Sequence, residues 1–169
     1  MYRELLVRAR AGDREAFESI VLAKGEPLFR TALAILCNEP DARDATQETF
    51  VSAWRALPRL RDLDRFDAWL GRILINECRM ALRHRRRVHE VPISDSPDSP
   101  DTRLPTSDRT DFDEAFDRLT VYQRAILVLH HVQGYGVGEI ATWLGIPSGT
   151  VKWRLSRARR ALAAQLGEP

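Results

Sequence analysis

Between residues 152 and 160 the chain carries five cations, Lys152, Arg154, Arg157, Arg159 and Arg160, together with Trp153 and Ser156. Such a set does no covalent chemistry; it attracts phosphates and donates to base edges. A second basic set, Arg72, Asn76, Arg79 and Arg83, is spaced by four, three and four residues, which lines it up along one flank of a helix. A ridge of that kind can follow a nucleic-acid backbone while its amide meets a base edge or a phosphate. Candidates for catalysis are poorer. The four histidines, His84, His89, His130 and His131, come with no Gly-rich phosphate loop, nucleophile elbow or HExxH, and the last two sit in what reads as an ordinary apolar helix. No catalytic residue is assigned, and the chain is not expected to be an enzyme. Cys37 and Cys78 lack the spacing of metal ligands, so no disulfide framework, metal site or cofactor is expected. Two half-buried thiols are the plain reading, and oxidation sensing stays open.

The elements that must hold these residues are helices. Apolar residues recur at steps of three and four, and no period-two run bounded by hairpin signals occurs, so the fold class is all-α. At the C-terminus Val137, Ile140, Ala141 and Leu144 share one face, Gly145-Ile146-Pro147 breaks the helix, and Ser148 caps a second one with Val151, Leu155, Ala158 and Leu162 inward. That pattern is a helix-turn-helix whose second helix is the recognition element. Trp153, Ser156, Arg157 and Arg160 then lie opposite the apolar stripe. A basic run near a helix C-terminus also complements the dipole, but that does not account for Trp153. Its outward ring can serve DNA or pack against another domain or partner.

Two further helices follow from the same reasoning. The first, from about Phe66 to Arg87, turns Phe66, Trp69, Leu70, Ile73 and Met80 inward and Arg72, Asn76, Arg79 and Arg83 to one flank. The second opens at Asp41 as N-cap and stops at Pro58, with Ala42, Ala45, Phe50, Ala53, Trp54 and Leu57 inward. Its outer face, Asp44, Gln47, Glu48, Val51 and Arg55, suits a protein partner or plain solvent rather than DNA. Asp13 is a second N-cap, Pro27 suits a first helical position, Thr120 to Gln123 is a capping box, and Gly134 ends the helix that follows it.

Total charge conceals the organisation. The 169 residues hold 26 Lys+Arg against 24 Asp+Glu, yet residues 1–91 carry +3, residues 92–111 carry −3 and residues 112–169 carry +2. The middle segment is Pro, Ser, Thr and Asp with almost nothing apolar, which reads as a flexible acidic linker between two small helical domains. Domains of that size bury modest cores and are marginal alone. No apolar run reaches membrane-span length and the start lacks a secretory stretch, so a soluble, cytoplasmic chain without membrane insertion is expected.

Five stretches resemble one family in order. They are Ala11-Gly12-Asp13 with Ala16-Phe17; Asp41-Ala42-Arg43-Asp44 leading to Gln47-Glu48-Thr49-Phe50 and Ala53-Trp54; Phe66-Asp67-Ala68-Trp69-Leu70 with Arg72-Ile73 and Asn76; Leu119 through Gln133-Gly134; and Glu139-Ile140-Ala141 through Leu144-Gly145-Ile146-Pro147 to Gly149-Thr150-Val151-Lys152 and Arg157-Ala158-Arg159. Together they are similar to the compact extracytoplasmic-function group of sigma-70 transcription initiation factors. The resemblance implies a region 2-like domain over 1–91 that docks on the clamp helices of core RNA polymerase through Asp44, Gln47, Glu48 and Val51. That domain would hold the single-stranded minus-ten element with Arg72, Asn76, Arg79 and Arg83, while the loop bearing Arg59, Arg61 and Arg65 borders a pocket for a flipped base. It implies a region 4-like domain over 112–169 that leans on the polymerase flap and reads the duplex minus-thirty-five element with Ser148, Thr150, Lys152, Trp153, Arg154, Ser156, Arg157 and Arg160. The linker 92–111 would pass near the polymerase active centre. An anti-sigma factor is an implied partner.

Departures from the family pattern carry expectations of their own. Ala45 and Thr46 replace a larger aliphatic pair, Trp153 stands where a small or polar residue is usual, and a thymine methyl is its expected contact. Gly136 and Gly138 should weaken their helix end by about 1 kcal/mol each. The competing reading is a stand-alone helix-turn-helix regulator that binds duplex DNA without polymerase.

Overall fold

The computed structural model describes residues 2–88 and 110–166, with side chains given up to residue 85 in the first stretch. Every regular element among the described residues is helical, as the periodicity requires. Packing divides the chain into two compact units, Met1–Cys78 and Arg79–Pro169. Each is described by itself.

In the first unit, α1 (Tyr2–Arg10) and α2 (Arg14–Leu36) meet at a turn capped by Asp13, whose Oδ1 accepts from the Ala16 amide at 3.1 Å. That amide, then the Arg8 guanidinium, hold the Asp13 carboxyl below its ordinary range. Pro27 is not at a helix start; it lies inside α2, where it deprives the Ala23 carbonyl of a donor. The helix survives because its apolar face runs straight through, with Ile20 before the proline and Leu28, Ala32, Ile35 and Leu36 after it buried. Cys37 ends α2 in the left-handed region at φ 49°. Its thiol is exposed, whereas Cys78 is buried, so the two are not alike and neither is half-buried.

The next helix, α3 (Glu39–Ala56), starts earlier than expected. Asn38 rather than Asp41 is the cap, accepting from the Asp41 amide at 3.0 Å, with Pro40 in the first turn where its missing N–H costs nothing. Two short 3-10 turns follow, Leu57–Arg59 and Leu63–Arg65, and then α4 (Phe66–Val88), which runs past the division at Cys78 so that its residues from Arg79 on are counted in the second unit. The buried stripe of α4 is Phe66, Leu70, Leu74, Cys78 and Leu82. Trp69 and Ile73 are only half-buried and Met80 is exposed, so the inward face is rotated from the expected one. The reason is that the cysteine counts as core, which steps of four from Phe66 reveal. Burial pushes the Cys78 thiol up to about 12, with the Glu77 carboxylate adding to the effect.

The second unit opens with α5 (Asp111–Asp117), capped by a reciprocal Thr110–Asp113 box. Asp111 therefore belongs to a helix rather than to the acidic linker; the rest of that segment up to residue 109 lies outside the described residues. The Thr120–Gln123 box opens α6 (Val121–Leu127), which widens into a π turn over Val128–Val132. His130 and His131 thus sit in that turn and not in regular helix. Gly134, at φ 75°, closes it, with the Tyr135 amide donating to the Leu129 carbonyl at 2.9 Å. Then α7 (Val137–Leu144) is followed by Gly145 at φ 65° and α8 (Ser148–Leu166). Gly136 is the N-cap of α7, outside the helix, so the propensity penalty expected there does not apply. Its N–H donates to Glu139 Oε2 at 2.7 Å. Ser148 is the first helical residue of α8 rather than its cap, because the Val151 amide donates to the Pro147 carbonyl.

Candidate nucleic-acid and polymerase interfaces

On α3, Asp44, Gln47 and Glu48 are exposed and Val51 is half-buried. Beneath Gln47 and Val51 runs a groove of about 940 Å³ between α2 and α3, floored by Phe17, Val21, Phe29, Phe50 and Trp54. The Phe17 ring centre lies 4.9 Å from that of Trp54, and both rings leave an apolar wall facing that groove. Helical spacing of α3 alone does not find Val21 and Phe29, which come from the neighbouring helix. A surface with an apolar floor and a polar rim is suited to protein rather than to phosphate.

Between α3 and α4, Arg59, Arg61 and Arg65 are exposed on the two 3-10 turns and their connection, above buried Leu57 and Leu63. Arg65 pairs with Asp62 at 3.3 Å, and Asp62 also accepts from the Asp64 amide at 3.0 Å. Arg59 and Arg61 make no ion pair among the described residues. On α4, Arg72 and Asn76 are exposed while Arg79 and Arg83 are half-buried and engaged in contacts. The ridge is therefore uneven, open at its first two members and drawn in at the last two.

In the second unit, Val151, Leu155 and Ala158 anchor α8 in the core. Lys152, Trp153, Ser156, Arg157 and Arg160 are exposed with Ser148, and Thr150 is half-buried. Arg154 is different: its guanidinium lies 5.2 Å from the centre of the Tyr122 ring and is half-buried, so it leans on the scaffold rather than standing outward. Arg157 rests over the Trp153 ring at 5.2 Å, and Trp153 remains 52% exposed. Arg159 donates from Nε to His131 Nε2 at 3.2 Å, and His130 Nδ1 donates to the Tyr135 carbonyl at 3.0 Å. Slight burial, then the Arg159 and His130 charges, holds His131 below its ordinary value. No cation of α8 meets a carboxylate among the described residues.

Below this face the buried Arg124 binds the Asp117 carboxylate at 3.2 Å, the Leu119 carbonyl at 3.2 Å and the Asp117 carbonyl. It ties α5 to α6 under the recognition helix. Sequence spacing passes over Arg124, Tyr122 and His131, because an arginine inside an apolar helix gives no local sign that it is fully enclosed. No helix among the described residues is long and apolar enough to cross a membrane.

Comparison with known proteins gives these surfaces a common frame. Residues 21–88 match the family described as sigma-70 region 2, and residues 109–162 match sigma-70, region 4. The ECF RNA polymerase sigma factor SigM of Mycobacterium tuberculosis is 35% identical over 164 residues, covering 97% of this chain and 84% of the relative. Among solved structures, CnrH in complex with the cytosolic domain of CnrY aligns with a TM-score of 0.68 at 30% identity, covering 98% of this chain and 96% of that one. The sigma factor RpoE of Bartonella quintana, in complex with the anti-sigma factor NepR, aligns with a TM-score of 0.63 at 28% identity, covering 89% and 96%. A stand-alone helix-turn-helix regulator is not favoured, since it leaves the match over residues 21–88 without a role. With both units matched in order and nearly the whole chain shared with SigM, the chain belongs to the sigma-70 family of transcription initiation factors, in its extracytoplasmic-function group.

Proposed function

We propose that this alternative sigma factor joins core RNA polymerase and divides promoter reading between its two units. The region 2-like unit docks on the polymerase clamp helices through Asp44, Gln47, Glu48 and Val51. It holds the melted minus-ten strand with Arg72, Asn76, Arg79 and Arg83, and takes a flipped base beside Arg59, Arg61 and Arg65. The region 4-like unit leans on the polymerase flap and reads the minus-thirty-five duplex from α8, with Ser148 and Thr150 at its N-terminus and Lys152, Trp153, Ser156, Arg157 and Arg160 outward. Arg154 serves as a brace on Tyr122 as much as a contact. The acidic segment tethers the two readers, so neither needs high affinity alone. The work is binding rather than catalysis, done in the cytoplasm where polymerase is. Like RpoE of Bartonella quintana, solved in complex with the anti-sigma factor NepR, the chain has a binding protein of the anti-sigma class as a partner.

The observation that carries this reading is the row of exposed α8 cations with no carboxylate partner among the described residues, since uncompensated charge on a recognition helix is what duplex phosphates require. Purified chain added to core polymerase on a genomic library should yield discrete start sites that share two spaced elements. Random initiation, or start sites unchanged from core polymerase alone, would overturn it.

A further inference from the structure

The loop that carries Arg59, Arg61 and Arg65 has no long helix of its own to hold it. Its two 3-10 turns are gripped instead from the beginning of the chain. Arg10 Nη1 donates to the Leu60 carbonyl at 3.4 Å, and Arg3 Nε donates to Asp64 Oδ1 at 3.2 Å. One turn further on, the Tyr2 hydroxyl donates to Asp67 Oδ1 at 3.2 Å, and Lys24 of α2 meets the same carboxylate at 2.8 Å. The Lys24 ammonium also lies 4.9 Å from the Tyr2 ring centre, and that ring packs edge-on against Phe66 at 6.5 Å. Burial, and then Asp67, push the Tyr2 phenol up, so it stays a donor. Three ties from one face of α1 thus fall at residues 60, 64 and 67, and Arg61 lies between the first two. Helix α1 lies outside both matched family segments, 21–88 and 109–162.

We infer that Tyr2, Arg3 and Arg10 are positioning residues for promoter reading: they hold the 57–65 loop in the shape that discriminates a minus-ten base. The inference rests on the reading of that loop as the base pocket. Each exposed tie is weak by itself, as exposed ion pairs are. Their effect is on pre-organisation, because a loop fixed at residues 60 and 64, with the adjoining start of α4 fixed at 67, does not lose that freedom when a base enters. Arg59 and Arg61, without ion pairs among the described residues, take their placement from the backbone that α1 fixes.

The test uses holoenzyme assembled from the full chain and core polymerase, with promoter DNA randomised across the minus-ten element and sequenced after selection of open complexes. Arg3→Asp should relax preference at one minus-ten position by about two- to fivefold, and Tyr2→Phe with Arg3→Ala and Arg10→Ala by about tenfold. Minus-thirty-five preference should not move, and the thermal midpoint should fall by no more than a few degrees. Adding Asp64→Arg to Arg3→Asp should restore selectivity, which a merely structural role for Arg3 would not require. Unchanged minus-ten preference in the triple variant would overturn the inference, as would a uniform loss at both elements together with a larger fall in the midpoint. Arg59→Ala with Arg61→Ala separates the two claims. If that pair loses selectivity and the α1 variants do not, the role of α1 fails alone; if that pair also leaves selectivity intact, the base pocket fails and takes the inference with it.

Discussion

The two regions proposed to face DNA hold their cations by different means. Around the loop between α3 and α4, carboxylates do the holding: Asp62 takes Arg65, Asp64 takes Arg3 of α1 and Asp67, at the start of α4, takes Lys24 of α2, while Arg59 and Arg61 make no ion pair among the described residues. On α8 the partners are neutral, namely the Tyr122 and Trp153 rings and the His131 imidazole. A carboxylate fixes a guanidinium but cancels its charge, whereas an aromatic face or a neutral ring nitrogen orients it and leaves the charge for a phosphate. The surroundings of the loop are thereby fixed in shape at the cost of charge, whereas α8 keeps its charge. The second unit does own a carboxylate–guanidinium pair, Arg124 with Asp117, but it is enclosed beneath α8 at 0% and 4% side-chain exposure.

That contrast can be broken at its strongest point first. Arg124→Ala strands the Asp117 carboxylate in the core and should cost about 3–5 kcal/mol of stability in that unit. Asp64→Asn, which loosens an exposed pair, should cost less than about 1 kcal/mol. Equal losses in thermal unfolding would erase the distinction between scaffold and surface pairs.

A smaller effect tests the charge argument itself. Ser156→Glu introduces a carboxylate four residues from both Lys152 and Arg160. It should weaken minus-thirty-five binding by the holoenzyme by about 1–2 kcal/mol and lower the salt-dependence slope by about 1. Asp64→Asn should leave that slope alone. If both variants shift it alike, the loop and the helix do not differ in kind.

The smallest effect concerns His131. The folded chain holds it below 6.5, so as pH falls the unfolded chain takes up the proton first. The contribution of the neutral ring is complete above about pH 6.5 and is lost as pH drops through the folded value. His131→Gln keeps an acceptor for Arg159 and does not titrate. Its unfolding midpoint should therefore fall less than that of the natural chain on acidification to about pH 5.5, and identical curves would show that the imidazole contributes nothing there.

How far these features are legible in the sequence depends on their range along the chain. The α8 stripe of Val151, Leu155 and Ala158, the Thr120 box and the extent of α4 are local patterns, and spacing finds them. Pro27 misleads because a proline is weighed by its own backbone, while its helix is kept by apolar residues up to nine positions further on. At Asn38 and Asp41 two good caps stand three residues apart, and only Glu39-Pro40 between them decides which one acts. The outward Met80 shows that a large apolar residue need not belong to the core when a cysteine two positions earlier does. Arg154 reads as a DNA contact from its spacing because nothing in its helix announces Tyr122, thirty-two residues away. The family resemblance supplies the frame for the site; the ties that restrain its arginines have to be seen in three dimensions.

The grip of α1 on the reading loop also has a consequence in time. Its partners stand 50, 61 and 65 residues further along the chain. At synthesis rates of about 5–20 residues per second, several seconds pass between the appearance of Tyr2 and that of Asp67. During that interval the helix can pack on α2 but not on the loop, and joining such distant segments is the slow part of building a small domain. The loop proposed to discriminate promoters is thus among the last of its unit to take shape. A nascent chain can have α2 and α3 already paired and still be unable to tell one promoter from another.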